Sequence, residues 1–432
     1  MHTLAWKGPL NFATTFMHAA VKSFEIWLPE DLKFGSPRPF FQDVAIRMPN
    51  ITTLNIKSEI AVHDIEADLI DLMNRLPNLR SLTFPRFYVT TKVMEALSRM
   101  PNLAVIEFQY YDDQGCGDAD DVISFTPHLE EGSFPQLWDL SLSATFDEIS
   151  RFFSLEFAPT NLTLLYVDSG VIETAASIQC FLCAVADSCQ LLKALAIISF
   201  RHHDSEPEDG DERYKITFEH LKPVFKLGNL KNLEISHLYP LALKLEDVES
   251  FASSLPSLEA LILNNEPVHL QQSGLTMEAL RPFANHCPNL TQLGLFVDAS
   301  HISPNTAPFS PFKSLQRLSM GVSIIDDDKS VALYLSNILP SACSVESGVT
   351  WNDDELPTDH SVYREVDERC GKWDKVGRLL PVLIKLRMEE KERLRDMESE
   401  MDDLRMRNEM LCHTLKSGHG EVIVDDNACI VI

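Results

Sequence analysis

Few residues in this chain are suited to chemistry. Cys180 and Cys183 form a C-x-x-C with Cys189 nearby, in CFLCAVADSC. Thiolates at that spacing bind zinc or exchange disulfides. Zinc needs a second pair of ligands at a suitable spacing, and none follows, so these cysteines are expected as small apolar thiols on a packed helix. His202 and His203 adjoin Asp204 and Glu206 in an acidic stretch, and read as solvated side chains and not as a metal site. Walker, G-x-G-x-x-G, H-E-x-x-H and G-x-S-x-G patterns do not occur, and 16 glycines are few for phosphate cradles. The expectation is a chain without catalytic residues, metal or cofactor. Its end, Cys429-Ile430-Val431-Ile432, has the form of a prenylation box. Terminal Ile is not the commonest choice there. Glu421, Asp425 and Asp426 have the wrong sign for a second anchor, and one lipid alone holds weakly. Membrane attachment is expected only if Cys429 is prenylated.

Composition narrows the field further. The 432 residues carry 37 basic and 64 acidic side chains, so the formal charge is 37 − 64 = −27. That sign opposes nucleic-acid phosphates and anionic lipid, and favours basic partners or plain solubility. The first sixteen residues, MHTLAWKGPLNFATTF, have one Lys and no long apolar stretch, so no secretory signal is expected. Nine irregularly spaced cysteines then read as reduced thiols in a cytoplasmic, or nuclear, protein.

The elements that must position any site announce themselves by repetition. RLPNLRSLTF (75–84), RMPNLAVIEF (99–108) and HCPNLTQLGL (286–295) share one phrase. Aligned on its first apolar residue, the phrase has anchors at Val21, Ile51, Leu79, Leu103, Leu137, Leu162, Leu192, Leu230, Leu258, Leu290 and Leu315. A degenerate last copy lies near Val345. The mean period is about 29 residues, which belongs to a solenoid. Each copy reads L-x-x-L-x-L, whose second half alternates as a strand with one buried face should. Helical patterns precede many copies: Val93, Leu97 and Met100; Val248, Phe251 and Leu255; Leu280 and Phe283. The Pro of the phrase ends the helix, and the following Asn suits a tight turn. One such unit cannot bury its own apolar face, whereas a stack can. Acidic, breaker-rich stretches at 112–121, 202–213 and 325–329 read as surface insertions or disorder.

With its PNL-x-x-L-x-L phrase, the chain resembles, over residues 20–348, the irregular leucine-rich repeats of fungal F-box proteins. The resemblance implies an α/β solenoid, an irregular horseshoe with a parallel sheet on its concave face and helices on its convex face. It implies binding of a protein substrate for a cullin ubiquitin ligase, and a ligase adaptor as partner only if an F-box lies upstream. The F-box itself is expected to be missing. WLPEDLKFGSPRPF (27–40) opens like one, but the two prolines of GSPRP within it oppose the helix required, so it reads as a loop. The chain also departs from the usual pattern in lacking the Asn that follows each strand.

The expected organisation is a solenoid of about eleven or twelve repeats at 1–348, a linker at 349–360, a charged helix at 361–417 and a flexible tail at 418–432. Alternation assigns the x positions to the concave face, where a partner would meet Trp27, Glu107, Leu164, Tyr166, Asp168, Ile198, Glu234, Phe296 and Arg317. Leu164, Tyr166 and Ile198 fall on adjacent strands; they mark a binding site, or the C-terminal segment or a loop covers them. In the C-terminal helix, Leu394, Met397, Met401, Leu404, Asn408 and Leu411 alternate three and four apart as a coiled-coil seam. The same frame runs back through Trp373, Val376, Leu380 and Leu383, with Pro381 expected to start or kink a helix. Three readings stay open: packing on the solenoid end, pairing with another coil as in a homodimer, or a lone charged helix.

Overall fold

A computed structural model describes residues 2–30, 36–108, 114–199, 211–302, 310–351 and 360–417. Thirteen strands form one sheet, parallel throughout and arranged in sequence order. They are β1 (Thr3–Lys7), β2 (Ser23–Leu28), β3 (Thr53–Ser58), β4 (Ser81–Phe84), β5 (Val105–Phe108) and β6 (Asp139–Leu142). Then follow β7 (Leu164–Asp168), β8 (Ala194–Ser199), β9 (Asn232–His237), β10 (Ala260–Leu263), β11 (Gln292–Leu295), β12 (Arg317–Gly321) and β13 (Ser344–Ser347). This is an α/β leucine-rich-repeat solenoid.

All eleven predicted anchors are at most 1 % exposed. The register pairs equivalent letters of successive copies, Leu82 with Ile106 and Leu233 with Leu261. Stacking therefore turns a short apolar phrase into one continuous core. Two strands extend the series. The degenerate copy near Val345 is β13, and β1 precedes the first anchor. No helix-and-Pro signature leads into β1, so the periodicity does not reach it.

The helices include α1 (Leu10–Ala13), α2 (Arg38–Arg47), α3 (Val62–Asn74), α4 (Thr91–Ser98) and α5 (Phe146–Phe153). They continue with α6 (Ala175–Ser188), α7 (Phe218–Leu221), α8 (Leu245–Ser254), α9 (Leu280–His286), α10 (Asp328–Leu335) and α11 (His360–Ser417). Local chemistry sets several starts. The Thr90 hydroxyl caps α4 by accepting from Val93 N, and Thr145 with Glu148 forms a capping box on α5. The two prolines of GSPRP stand at the entry to α2, with Pro37 at the cap and Pro39 in the first turn, where a missing N–H costs nothing. Pro381 lies inside α11 and does not begin it.

The turn asparagines do more than turn the chain. Asn50 donates to Ala19 O at 3.0 Å, Asn78 to Pro49 O at 3.4 Å, Asn102 to Pro77 O at 2.9 Å and Asn229 to Gln190 O at 3.0 Å. Each acceptor sits two places before its own anchor, one repeat earlier. The chain thus has an asparagine ladder on the entry side of its strands, in place of the one missing on the exit side. Each rung stitches neighbours with a hydrogen bond contributing about 1 kcal/mol.

Two of the acidic stretches are structured where described. Gln114 is buried and donates to Ile56 O at 2.8 Å, while Asp121 pairs with His63 at 2.8 Å. Asp327 caps α10 by accepting from Lys329 N at 3.0 Å. The insertion at 202–213 lies outside the described residues except at its end, and with it His202 and His203. Cys429 and the tail from 418 lie outside them as well. No described helix is long and apolar enough to cross a membrane.

Candidate protein-binding surface

The first half of α11 closes the end of the solenoid. Trp373, Val376 and Leu380 are buried in the main core on the spacing the sequence shows; the next core residue is Ile384, and Leu383 is only partly buried against it. Carbonyls just past β12 receive donors from α11. Arg369 reaches Val322 O at 2.8 Å, Lys372 reaches Ile325 O at 3.1 Å, and Trp373 Nε1 reaches Ser323 O at 2.9 Å. Cys370 Sγ approaches Gly321 O at 3.8 Å. Gly321 has φ +47°, and a Cβ there would lie 2.0 Å from Asn265 O, so this bend requires glycine. Solenoids need such a cap because their terminal repeat has only one neighbour.

The start of α11 and the segment before it also build a second apolar cluster, along the C-terminal ends of β7 to β13. Ile198, Tyr239, Val268, Phe296 and Val322 meet Trp351 and Val366 there, with Tyr166, Tyr363 and Cys370 packed around them. Trp351 Nε1 donates to Glu266 O at 3.1 Å, and Thr350 N to the Glu266 carboxylate at 2.6 Å. Ile198 and Phe296, concave by alternation, are therefore only 4 % and 5 % exposed.

The other candidate residues separate into buried ties and accessible groups. Asp168 is fully buried and ion-paired with Arg86, which comes from the loop after β4. Tyr166 meets Phe108 edge-on, ring centres 5.3 Å apart. Alternation assigns Phe108 to the core, but its ring belongs to neither apolar cluster and turns to the aromatic two strands away. Trp27 lies under the Lys7 ammonium at 4.9 Å, and Arg317 pairs with Glu346 at 3.2 Å. Left half-open in the middle of the sheet are Val105, Leu164, Ala194, Ala196 and Ile262, an apolar floor. Glu107 on β5, Asp139 on β6 and Glu234 on β9 stand among these residues. No lysine or arginine occupies a concave position from β5 to β10.

Asp139 and Glu234 are disfavoured in their charged forms. Burial, with the Glu107 charge adding to it, raises the Asp139 carboxyl to about 6. Burial and then Glu266 raise Glu234 above the usual range. Thr83 Oγ donates to Glu107 at 3.0 Å. A cation brought among them offsets their mutual repulsion. Stability carries the same signature. Asp139 binds its proton more tightly folded than unfolded, so its favourable contribution is complete below pH 4 and lost as pH rises through 6. Asp139→Asn is expected to stabilise the protein on the order of 1 kcal/mol at pH 8, allowing for solvent screening, and not at pH 4. Urea midpoints at the two pH values check this; equal shifts at both would contradict it.

The sequence does not single out His237, the buried group most like a catalytic one, which lies near Glu173 and Ser199. Tyr239 N donates to its Nδ1 at 3.1 Å, and its Nε2 donates to Glu173 O at 3.0 Å. Burial lowers the imidazole to about 4, so it stays neutral. Both ring nitrogens are used by backbone and the residue is sealed, which makes it a structural tie. Cys180 and Cys183 lie on α6, exposed and half-buried, and Cys189 is buried. Among the described residues, no group of three His, Cys, Asp or Glu side chains is placed to hold a metal ion.

No protein-family model and no curated protein matches the sequence. Among solved structures, the chain is similar to the leucine-rich repeat-containing protein LegL7 from Legionella pneumophila. Identity is 13%, over 86% of this chain and 97% of that one, with a TM-score of 0.40. A chain of the Rad7 and Elc1 complex in yeast is 15% identical over 80% of this chain and 79% of its own, TM-score 0.33. A chain of the LRIM1/APL1C complex is 14% identical over 94% and 67%, TM-score 0.30. Likeness at this level says nothing of function; the fold stands on the sheet's own topology.

Proposed function

We propose that this chain is a protein-binding solenoid whose concave sheet, between β5 and β10, takes a cationic segment bearing apolar side chains. The observation that carries it is the apolar floor of Leu164, Ala194, Ala196 and Ile262 with Glu107, Asp139 and Glu234 set among it, and no lysine or arginine at a concave strand position there. Apolar contact supplies affinity and the carboxylates supply sign and register. Arrayed peptides test it: basic amphipathic sequences bind and acidic ones do not. With Glu107→Gln and Glu234→Gln combined, affinity falls about tenfold and becomes less salt-dependent. Equal binding of acidic and basic peptides would rule the reading out.

The resemblance to fungal F-box proteins supports a narrower reading, in which the bound protein is the substrate of a cullin ubiquitin ligase. Co-precipitation of a cullin adaptor with the full-length locus product tests that part separately. A scaffold without ligase function is the second reading, and the exposed half of α11 favours it.

A further inference from the structure

We infer that residues 394–411 of α11 form a parallel, in-register coiled coil with a second copy of this chain. The first observation is a change of surroundings within one helix. Positions Trp373, Val376 and Leu380 of the seam are buried on the solenoid. After Leu383, Arg387 and Glu390 occupy the seam positions, where apolar packing stops. Beyond them the seam resumes and lies open among the described residues: Leu394, Met397, Met401, Leu404 and Leu411 are 44–63 % exposed. Met388, Met406 and Met410 are exposed too, but they do not recur at three and four, so they make no second stripe.

The second observation identifies the occupant. With Leu394, Met401 and Asn408 at a and Met397, Leu404 and Leu411 at d, the flanking g and e positions hold Arg393, Glu398, Glu400 and Arg405. In a parallel pair each g meets the e five residues on in the partner. Arg393 then faces Glu398 of the second copy, and Glu400 faces its Arg405. Both contacts are attractive, and symmetry doubles them. The same arginines hold only exposed partners within their own helix, Glu390 at 2.9 Å and Asp402 at 3.3 Å, which are worth little and readily exchanged.

Asn408 decides the orientation. In an antiparallel pair every a residue faces a d residue, so the amide would lie against Met397, Leu404 or Leu411 in any register. A parallel pair shifted by one heptad would set it against Met401. Only the parallel, in-register pair brings Asn408 to Asn408, where each amide satisfies the other. Arg387 and Glu390 would each face their own like charge, which ends the coil there. Two solenoids are thereby held at the same end of the dimer, with their concave sheets free.

Sedimentation velocity on the full chain from 1 to 100 μM tests association. The expected result is a monomer–dimer equilibrium that Met401→Glu with Leu404→Glu weakens at least a hundredfold, while the thermal transition at concentrations where the parent is monomeric is unchanged, because both side chains are exposed in the single chain. A monomer throughout, or a dimer indifferent to the double substitution, overturns the proposal. Orientation is read by oxidation of Leu411→Cys in a Cys412→Ser background, with Cys412→Ser alone as control for the other thiols. Parallel pairing places the two introduced thiols at one d layer, within disulfide reach. A dimer that gives no added crosslink overturns the parallel arrangement.

Discussion

Replacing Arg86 with Met is expected to destabilise the protein by about 3–5 kcal/mol, among the largest single effects in the molecule. Asp168 at the end of β7 is fully buried, and the Arg86 guanidinium from the loop after β4 is its ion-pair partner. The pair spans three strand steps across the sheet. Removing the cation leaves a carboxylate in a medium that solvates it poorly, so the loss reflects the stranded charge more than the pair's own attraction. A second substitution shows which. Arg86→Met with Asp168→Leu removes both charges and is expected to recover most of the loss. Urea unfolding of the two variants checks this. A single variant within 1 kcal/mol of the parent would mean that water already reaches Asp168.

Trp373→Ala carries the second large effect, again about 3–5 kcal/mol, because it empties a site that is 1 % exposed and removes the donor to Ser323 O. Its consequence is also functional. Trp373 holds α11 against the last repeat, and the segment leading into it covers Ile198 and Phe296 with Trp351 and Val366. Loosening α11 uncovers that apolar row. Increased binding of a hydrophobic dye and faster proteolytic loss of residues beyond 350 are the expected readouts. Met406→Ala, on the exposed half of the same helix and off its seam, is the control, with a change within 0.5 kcal/mol. If Trp373→Ala behaves like Met406→Ala, α11 does not cap the solenoid.

Much of this was legible from residue order. A period of about 29 residues, alternation within L-x-x-L-x-L and a Pro-Asn break each follow from one repeat, so eleven strands could be placed by counting. The first strand was not legible, since Leu4 and Trp6 alternate without a helix or proline before them. The Asn ladder was visible as turn chemistry only. Its acceptors lie 25 to 39 residues earlier, and a local pattern does not say which carbonyl a stack brings near.

The candidate surface divides along the same line. Alternation establishes which letters face the concave side, because side chains of a strand point to opposite faces whatever the sheet becomes. It therefore identified Leu164, Glu107 and Glu234 as facing that side, and the free and docked stretches of one seam both lie on its three-and-four spacing. Alternation does not establish what stands above that face. That Ile198 and Phe296 are roofed by Trp351 and Val366, that Asp168 belongs to Arg86, and that Phe108 turns to Tyr166 depend on residues 55 to 170 positions apart meeting across a curved sheet. Sequence by itself determined the repeat, its faces and its sign of charge, all of which are periodic or additive. Tertiary structure alone decided which of those faces remain open, because coverage is set by where the stack ends and how its last helix folds back.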